Sequence, residues 1–212
     1  MNQNVLYQYS TLKAFNNKGY DGDLTLETLK AYGDTGLGTF NALDGEMILL
    51  DKKIYQADGD CVLKKTDDGA LIPFAVMGFL DAEKVLSLKG RLSMEAAKIA
   101  LDQEIGLEDP IVLAVLEGFF GELTLHSVWP QTKPYRGLEV IVSEQKLVRT
   151  SNQRGRLVGI RCPQSAIGKN VVGWHFHYLS ADQKTAGHVN DFKSEDVSVS
   201  YSIKERIVEI FD

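Results

Sequence analysis

The sequence is poor in cysteine. It contains only Cys61 and Cys162, which lie far apart, and neither belongs to a Cys-x-x-Cys pair. A disulfide framework needs several regularly spaced cysteines, and a thiolate zinc site needs paired ones, so this pattern argues against both. We expect two buried or free thiols in a reducing cytoplasm.

The sequence also lacks long hydrophobic runs and basic clusters. No apolar run approaches the ~18 residues that a membrane helix requires, and residues 1–4 do not begin a charged-then-apolar secretory signal. Lys and Arg total 23 against 29 Asp and Glu, a net charge of −6, which argues against a nucleic-acid partner. We therefore expect a cytoplasmic globular protein that binds neither membrane nor nucleic acid.

No linker rich in proline, glycine or serine is long enough to separate independent domains. Short alternating apolar runs, bounded by Gly and Asp turns, predict many strands with a few helices between them. The expected fold class is α+β, with mixed or antiparallel sheets. We expect two β-rich halves, 1–110 and 111–212, joined into one compact unit.

Local signals predict three elements in the first half. Thr25 is the expected N-cap of a short helix that stops before Gly33. Ser93 is the expected N-cap of a second helix, from 94 to about 105. Asp44-Gly45 is a hairpin turn signal between two strand-like runs. Residues 84–92 are ambiguous between helix and strand.

Histidine is scarce as well, yet three of the four histidines in the chain lie close together in the sequence. His175 and His177 are two apart, so in a strand they project from one face, with Phe176 on the other. A polar, turn-like stretch then leads to His188, which can lie on a paired strand with its Cβ atom about 5 Å away. Three neutral imidazoles converging on one point are a ligand set for catalytic zinc. The alternative is a pair of exposed strand histidines with an unrelated third, and we favour the metal site.

Several segments in chain order carry a resemblance to a known family. They are Tyr7-Gln8-Tyr9-Ser10-Thr11, Gly36-Leu37-Gly38-Thr39-Phe40-Asn41, Leu43-Asp44-Gly45-Glu46, Lys133-Pro134-Tyr135, the His-x-His segment 173–177, and Gly187-His188-Val189-x-Asp191-Phe192. Together they span about nine-tenths of the chain and resemble acetolactate decarboxylase.

The resemblance implies a zinc enzyme that converts 2-acetolactate to (R)-acetoin and CO2, usually as a homodimer, with one zinc ion per chain. The resemblance assigns His175, His177 and His188 as the metal ligands. It also makes Glu46 an active-site carboxylate on or beside the metal, and Thr39 a substrate-pocket residue. Two alternatives stay open: a metal-binding homologue without this activity, such as a sensor, and a zinc enzyme acting on another small oxo-acid.

The sequence departs from the family pattern in two places. The family has an active-site Arg before Lys-Pro-Tyr, and His126 stands at that position. Arg is always positively charged and can hold a carboxylate at any pH at which the protein is folded. His can do so by charge only when its ring is protonated. We expect His126 to act in catalysis, pointing into the pocket without ligating the metal. The family's C-terminal Glu has no aligned counterpart, and the late carboxylates here are Glu205, Glu209 and Asp212.

The chemistry can also be argued from the residues. Loss of CO2 from a hydroxy-oxo acid leaves negative charge, which a cation held by three neutral ligands stabilises as a Lewis acid. The product then needs one proton, which a nearby carboxylic acid can supply. Glu46 is the candidate for this acid, and its alternative is a solvated turn carboxylate.

Overall fold

The computed structural model describes residues 1–80 and 84–210, which form two large β-sheets packed face to face, one two-stranded sheet and four short α-helices. The strands are β1 (Val5–Tyr9), β2 (Leu24–Thr25), β3 (Thr35–Thr39), β4 (Glu46–Leu50), β5 (Lys53–Ala57), β6 (Leu63–Lys64), β7 (Leu71–Ile72), β8 (Phe74–Gly78), β9 (Lys84–Ser93), β10 (Ile111–Ser127), β11 (Lys146–Cys162), β12 (Gly173–Ser180), β13 (Ala186–Lys204) and β14 (Arg206–Ile210). The helices are α1 (Leu12–Asn16), α2 (Leu26–Tyr32), α3 (Met94–Ile105) and α4 (Leu138–Ser143). The predicted α+β class is confirmed.

The first sheet has the strand order β14-β1-β8-β3-β4-β5-β6. It is mixed, because β1 and β14 run parallel while the other pairs are antiparallel. In the second sheet β10 pairs with both β11 and β13, and β12 bridges β11 and β13, so these four strands close into a ring. Strand β9 adds to the far part of β13.

The chain exchanges elements between the two sheets across the predicted boundary at residue 110. Strand β9 and helix α3, from the first half, pack with the second sheet. Strand β14, from the second half, extends the first sheet beside β1. The sheets therefore do not divide as 1–110 and 111–212.

Strand β4 is buried on both faces, which is why it is a continuous apolar run. Met47 and Leu49 pack with Leu29 of α2 on the outer side of the first sheet. Ile48 and Leu50 face inward and join the core shared with the second sheet. Because side chains alternate along a strand, Glu46 shares the inward face with Ile48 and Leu50.

Strand β12 alternates in the same way. Trp174, Phe176 and Tyr178 pack in the core that includes α3, as predicted for Phe176. Leu179 belongs to the inter-sheet core, so His175 and His177 lie on the face that meets the first sheet.

The local signals behave as predicted. The Thr25 and Ser93 hydroxyls each accept a hydrogen bond from a first-turn amide of α2 and α3. Gly45 adopts a φ of 82°, and a Cβ atom there would meet the carbonyl oxygen of Ala57 at 1.8 Å, so the hairpin requires glycine. The ambiguous segment 84–92 is strand β9.

Both cysteines are buried free thiols, in agreement with the sequence expectation. No helix in the described ranges is long and apolar enough to cross a membrane.

Candidate metal centre and active site

A row of histidines crosses three neighbouring strands. His188 of β13 pairs directly with His126 of β10 on one side and with His177 of β12 on the other. Directly paired residues project from the same face of a sheet, so all three rings face the first sheet. His175, two residues before His177, completes the group, and its ring centroid lies 4.7 Å from that of His188.

Three of these histidines can converge on one ion. One nitrogen from each of His175, His177 and His188 lies within 4.8 Å of the others, and His175 Nε2 is 3.0 Å from His188 Nδ1. Two nitrogens on a tetrahedral zinc ion, each ~2.0–2.1 Å from the metal, stand ~3.3 Å apart. The donor set and its spacing therefore fit a zinc ion.

The protein orients His177 through its other ring nitrogen. His177 Nδ1 donates to the carbonyl oxygen of Met47 at 2.9 Å, which leaves the Nε2 lone pair facing the site. Metal-binding histidines are commonly held in this way. On that side, His177 Nε2 lies 3.4 Å from Glu46 Oε2, a distance at which both atoms can contact one ion.

The site holds its imidazoles neutral. Burial, with smaller contributions from the charges of His126 and Lys98, lowers the pKa of His175 to about 4. Burial and the neighbouring histidines also lower the pKa of His177 and of His188. Neutral imidazole is the form that binds a metal, so the three ligands are available at neutral pH.

Glu46 lies inside the site. It begins β4 opposite Thr39, and its side chain is 12% exposed. Burial raises the pKa of Glu46 to about 8, so without a metal the carboxyl carries a proton at neutral pH. A nearby divalent cation favours the carboxylate instead. The Thr39 hydroxyl donates to the Gly45 carbonyl at 2.6 Å, so it can only accept a hydrogen bond from a ligand.

These groups surround a cavity of about 180 Å³ between the two sheets. Its polar side is formed by Thr39, Glu46, His126, His175, His177 and His188. The remaining wall is largely apolar and comes from Leu12, Phe15, Leu43, Phe74, Val128, Leu138, Val142 and Val171, with Gly38. The fold thus brings every predicted site residue to one small cavity.

Comparison with known proteins agrees with this geometry. A family model described as alpha-acetolactate decarboxylase matches residues 6–210. The chain belongs to that family. It is 34% identical to alpha-acetolactate decarboxylase from Klebsiella aerogenes over 191 residues, covering 90% of this chain and 74% of the relative.

Two solved structures of the alpha-acetolactate decarboxylase fold resemble the chain closely. The alpha-acetolactate decarboxylase of Bacillus subtilis strain 168 superimposes with a TM-score of 0.93 at 29% identity, covering 97% of this chain and 88% of that one. A Staphylococcus aureus protein described as similar to alpha-acetolactate decarboxylase also has a TM-score of 0.93, at 27% identity, with 98% and 89% covered.

His126 is the residue expected from the sequence to have a place in the pocket without a role as metal ligand. It lines the cavity but lies outside the group of three that converges. Its Nδ1 lies 2.7 Å from Asn190 Oδ1. Burial lowers the pKa of His126, against the opposite effect of this hydrogen bond. The ring is therefore neutral at neutral pH and unsuited to hold a substrate carboxylate by charge.

Asn190 was missed by the sequence reasoning, although a signal was present. It lies two residues after His188 in the same strand, the spacing that places side chains on one face. The same rule had already joined His175 to His177.

The late carboxylates do not reach the cavity. Glu209 lies on the edge strand β14 and pairs with Lys169 at 2.7 Å, and Glu205 stands at the turn before that strand. Neither lines the cavity. Asp212 lies outside the described residues.

Proposed function

We propose that the protein is a zinc-dependent carboxy-lyase that converts 2-acetolactate to (R)-acetoin and CO2. The observation that carries the proposal is the convergence of three neutral imidazoles opposite Glu46, inside the fold of the alpha-acetolactate decarboxylase family. The name of that family supplies the substrate and the reaction class.

His175, His177 and His188 would hold the zinc ion, one per chain. Bound there, zinc would supply a Lewis acid that stabilises the negative charge developing as the carboxylate leaves as CO2. Because all three ligands are neutral, the ion keeps its full charge for this task. His177 is held in the ligating orientation by Met47 before any metal arrives.

Glu46 has the position and chemistry for proton transfer. When the bond between the carboxylate carbon and C2 breaks, its electron pair stays on the substrate, and one proton must be added on carbon. A carboxyl group whose protonated and ionised forms are both accessible near neutral pH suits this step. Its place on one wall of the cavity favours delivery to one face of the substrate, which would give a single acetoin enantiomer.

The apolar wall has a separate role. Phe15, Leu43 and Phe74 face the polar groups across the cavity. They offer no competing ligand or proton donor, and they displace water from around the reacting carbon, which strengthens electrostatic interactions there.

The test is acetoin formation from racemic 2-acetolactate by zinc-loaded protein, with the enantiomer identified by chiral chromatography. We expect (R)-acetoin from the wild type. The variant His175→Ala/His177→Ala should lose both activity and bound zinc in elemental analysis. Equal zinc in the two proteins would contradict the metal assignment.

A zinc-containing wild type that forms no acetoin would favour an alternative. Turnover of another small oxo-acid would indicate a different zinc enzyme, and binding without turnover a metal-binding homologue. Glu46→Gln, which keeps the size of the side chain, should lower turnover at least about tenfold. We also propose a cytoplasmic homodimer, to be tested by fractionation and by mass measurement in solution.

A further inference from the structure

The strand β13 carries a β-bulge beside the histidine row. His126 pairs with His188 and Leu125 with Val189, but Thr124 pairs with Asp191. Asn190 is therefore the extra residue, with no partner of its own in this ladder. Bulges next to active sites re-aim a side chain, and here the side chain of Asn190 reaches the ring of His126.

The hydrogen bond between these residues decides which nitrogen of His126 carries the proton. Asn190 Oδ1 can only accept, so His126 Nδ1, at 2.7 Å, must donate. In the neutral ring, Nε2 is then an unprotonated acceptor. Because Nδ1 is turned to Asn190 and the ring lines the cavity, Nε2 is the nitrogen left to meet a ligand.

We propose that Asn190 is a positioning residue that fixes His126 as a hydrogen-bond acceptor, so that the site selects a substrate with a hydroxyl group next to its carboxylate. The inference rests on the proposed function and adds a specificity determinant to it. A hydroxyl donates to His126 Nε2, whereas a methyl group in its place excludes water from that nitrogen and gives it no partner, which costs binding energy.

In this proposal His126 accepts a hydrogen bond from the substrate and is not a fourth zinc ligand. The group whose nitrogens converge contains His175, His177 and His188 and leaves His126 out. The rings of His126 and His188 lie 4.4 Å apart between centroids, so His126 stands next to the metal position and within reach of a group bound there. Glu46 lines the same cavity from the other sheet.

The tautomer of His126 can be measured by NMR, because the protein has only four histidines and therefore few imidazole signals to distinguish. In metal-free protein labelled with ¹⁵N-histidine, we expect the His126 ring to show a protonated Nδ1 and an unprotonated Nε2. The His126 signals are assigned by their loss in His126→Phe. In Asn190→Leu, which removes the accepting oxygen, the Nδ1-protonated tautomer should no longer dominate. In Asn190→Asp, which keeps an accepting oxygen, the Nδ1-protonated tautomer should dominate again. An Nε2-protonated wild type would overturn the inference.

Selectivity is tested with two unreactive ligands of nearly equal shape, 2-hydroxy-2-methylpropanoate and 2,2-dimethylpropanoate, titrated into zinc-loaded protein by calorimetry. Zinc itself favours the hydroxy acid in every variant, so the informative quantity is the change in the affinity ratio. We expect this ratio to fall about tenfold in Asn190→Leu, the equivalent of one hydrogen bond, and to recover in Asn190→Asp. An unchanged ratio in Asn190→Leu would refute the role of Asn190.

Neither measurement requires turnover, so the outcomes separate the two proposals. If the tautomer and the ratio behave as expected but no acetoin forms, the decarboxylase assignment fails and the positioning role stands. If acetoin forms but the affinity ratio does not change in Asn190→Leu, the decarboxylase assignment stands and the positioning role of Asn190 fails. Should Asn190→Leu fail to fold, Asn190→Ala removes the same acceptor with a smaller side chain.

Discussion

Glu46 makes metal-free protein less stable as the pH rises, and Glu46→Gln should remove this effect. The folded protein holds the Glu46 proton with a pKa of about 8, whereas the ordinary pKa of a glutamate side chain is 4.5. Between these two values the folded state binds more protons than the unfolded state. The contribution of Glu46 to stability is therefore lost as the pH rises through this window. Gln resembles the protonated acid and does not titrate.

The magnitude follows from the same pKa difference. Each proton bound differently changes the free energy of unfolding by about 1.4 kcal/mol per pH unit. From about pH 5.5 to about pH 7.5, the advantage of Glu46→Gln over the wild type should widen by roughly 2–3 kcal/mol. Both proteins contain the same four histidines, so the opposite effect of the buried imidazoles cancels in the difference.

The assay is urea unfolding of chelator-treated protein at both pH values. Glu104→Gln, at an exposed position of α3, is the matched control and should show no widening. With zinc in excess, the cation favours the Glu46 carboxylate, so the pH-dependent advantage of Gln should narrow. An advantage that stays constant between the two pH values in metal-free protein would refute the burial of Glu46 in an uncharged form.

Three further predictions follow from single contacts. Gly45→Ala should lower the free energy of unfolding by at least ~2 kcal/mol, because the new Cβ atom meets Ala57 in the Glu46 hairpin; a wild-type denaturation midpoint would contradict this. Gln8→Leu should cost about 3 kcal/mol in the same assay, since the fully buried amide of Gln8 donates to Ser10 and Lys169 and accepts from Asn170. Zinc should stay bound as the pH falls through 6.5, the ordinary pKa of histidine, because the His175 pKa is about 4 and protons displace the metal only when they can bind the ligands. Half-release near pH 6.5, measured by dialysis with zinc analysis, would contradict this.

The local parts of the site could be predicted from the sequence. His175 and His177 share a face because side chains alternate in a strand, and a short polar turn brings His188 back beside them. The N-caps at Thr25 and Ser93 depend on similarly short-range contacts. The segment 84–92 stayed ambiguous because it is an edge strand, largely exposed, and its pairing with β13 is formed by residues far along the chain.

The sequence by itself determined the hairpin that carries His175, His177 and His188, because these residues are separated by one strand repeat and one turn. Tertiary structure decided what surrounds it. His126 joins the histidine row only through the pairing of β10 with β13, and the same pairing brings Asn190 to its ring. Glu46 meets His177 because the inward faces of two sheets pack together, and the same packing removes the carboxyl from water and raises its pKa. Register, bulges and burial depend on the whole fold, so no local pattern encodes them.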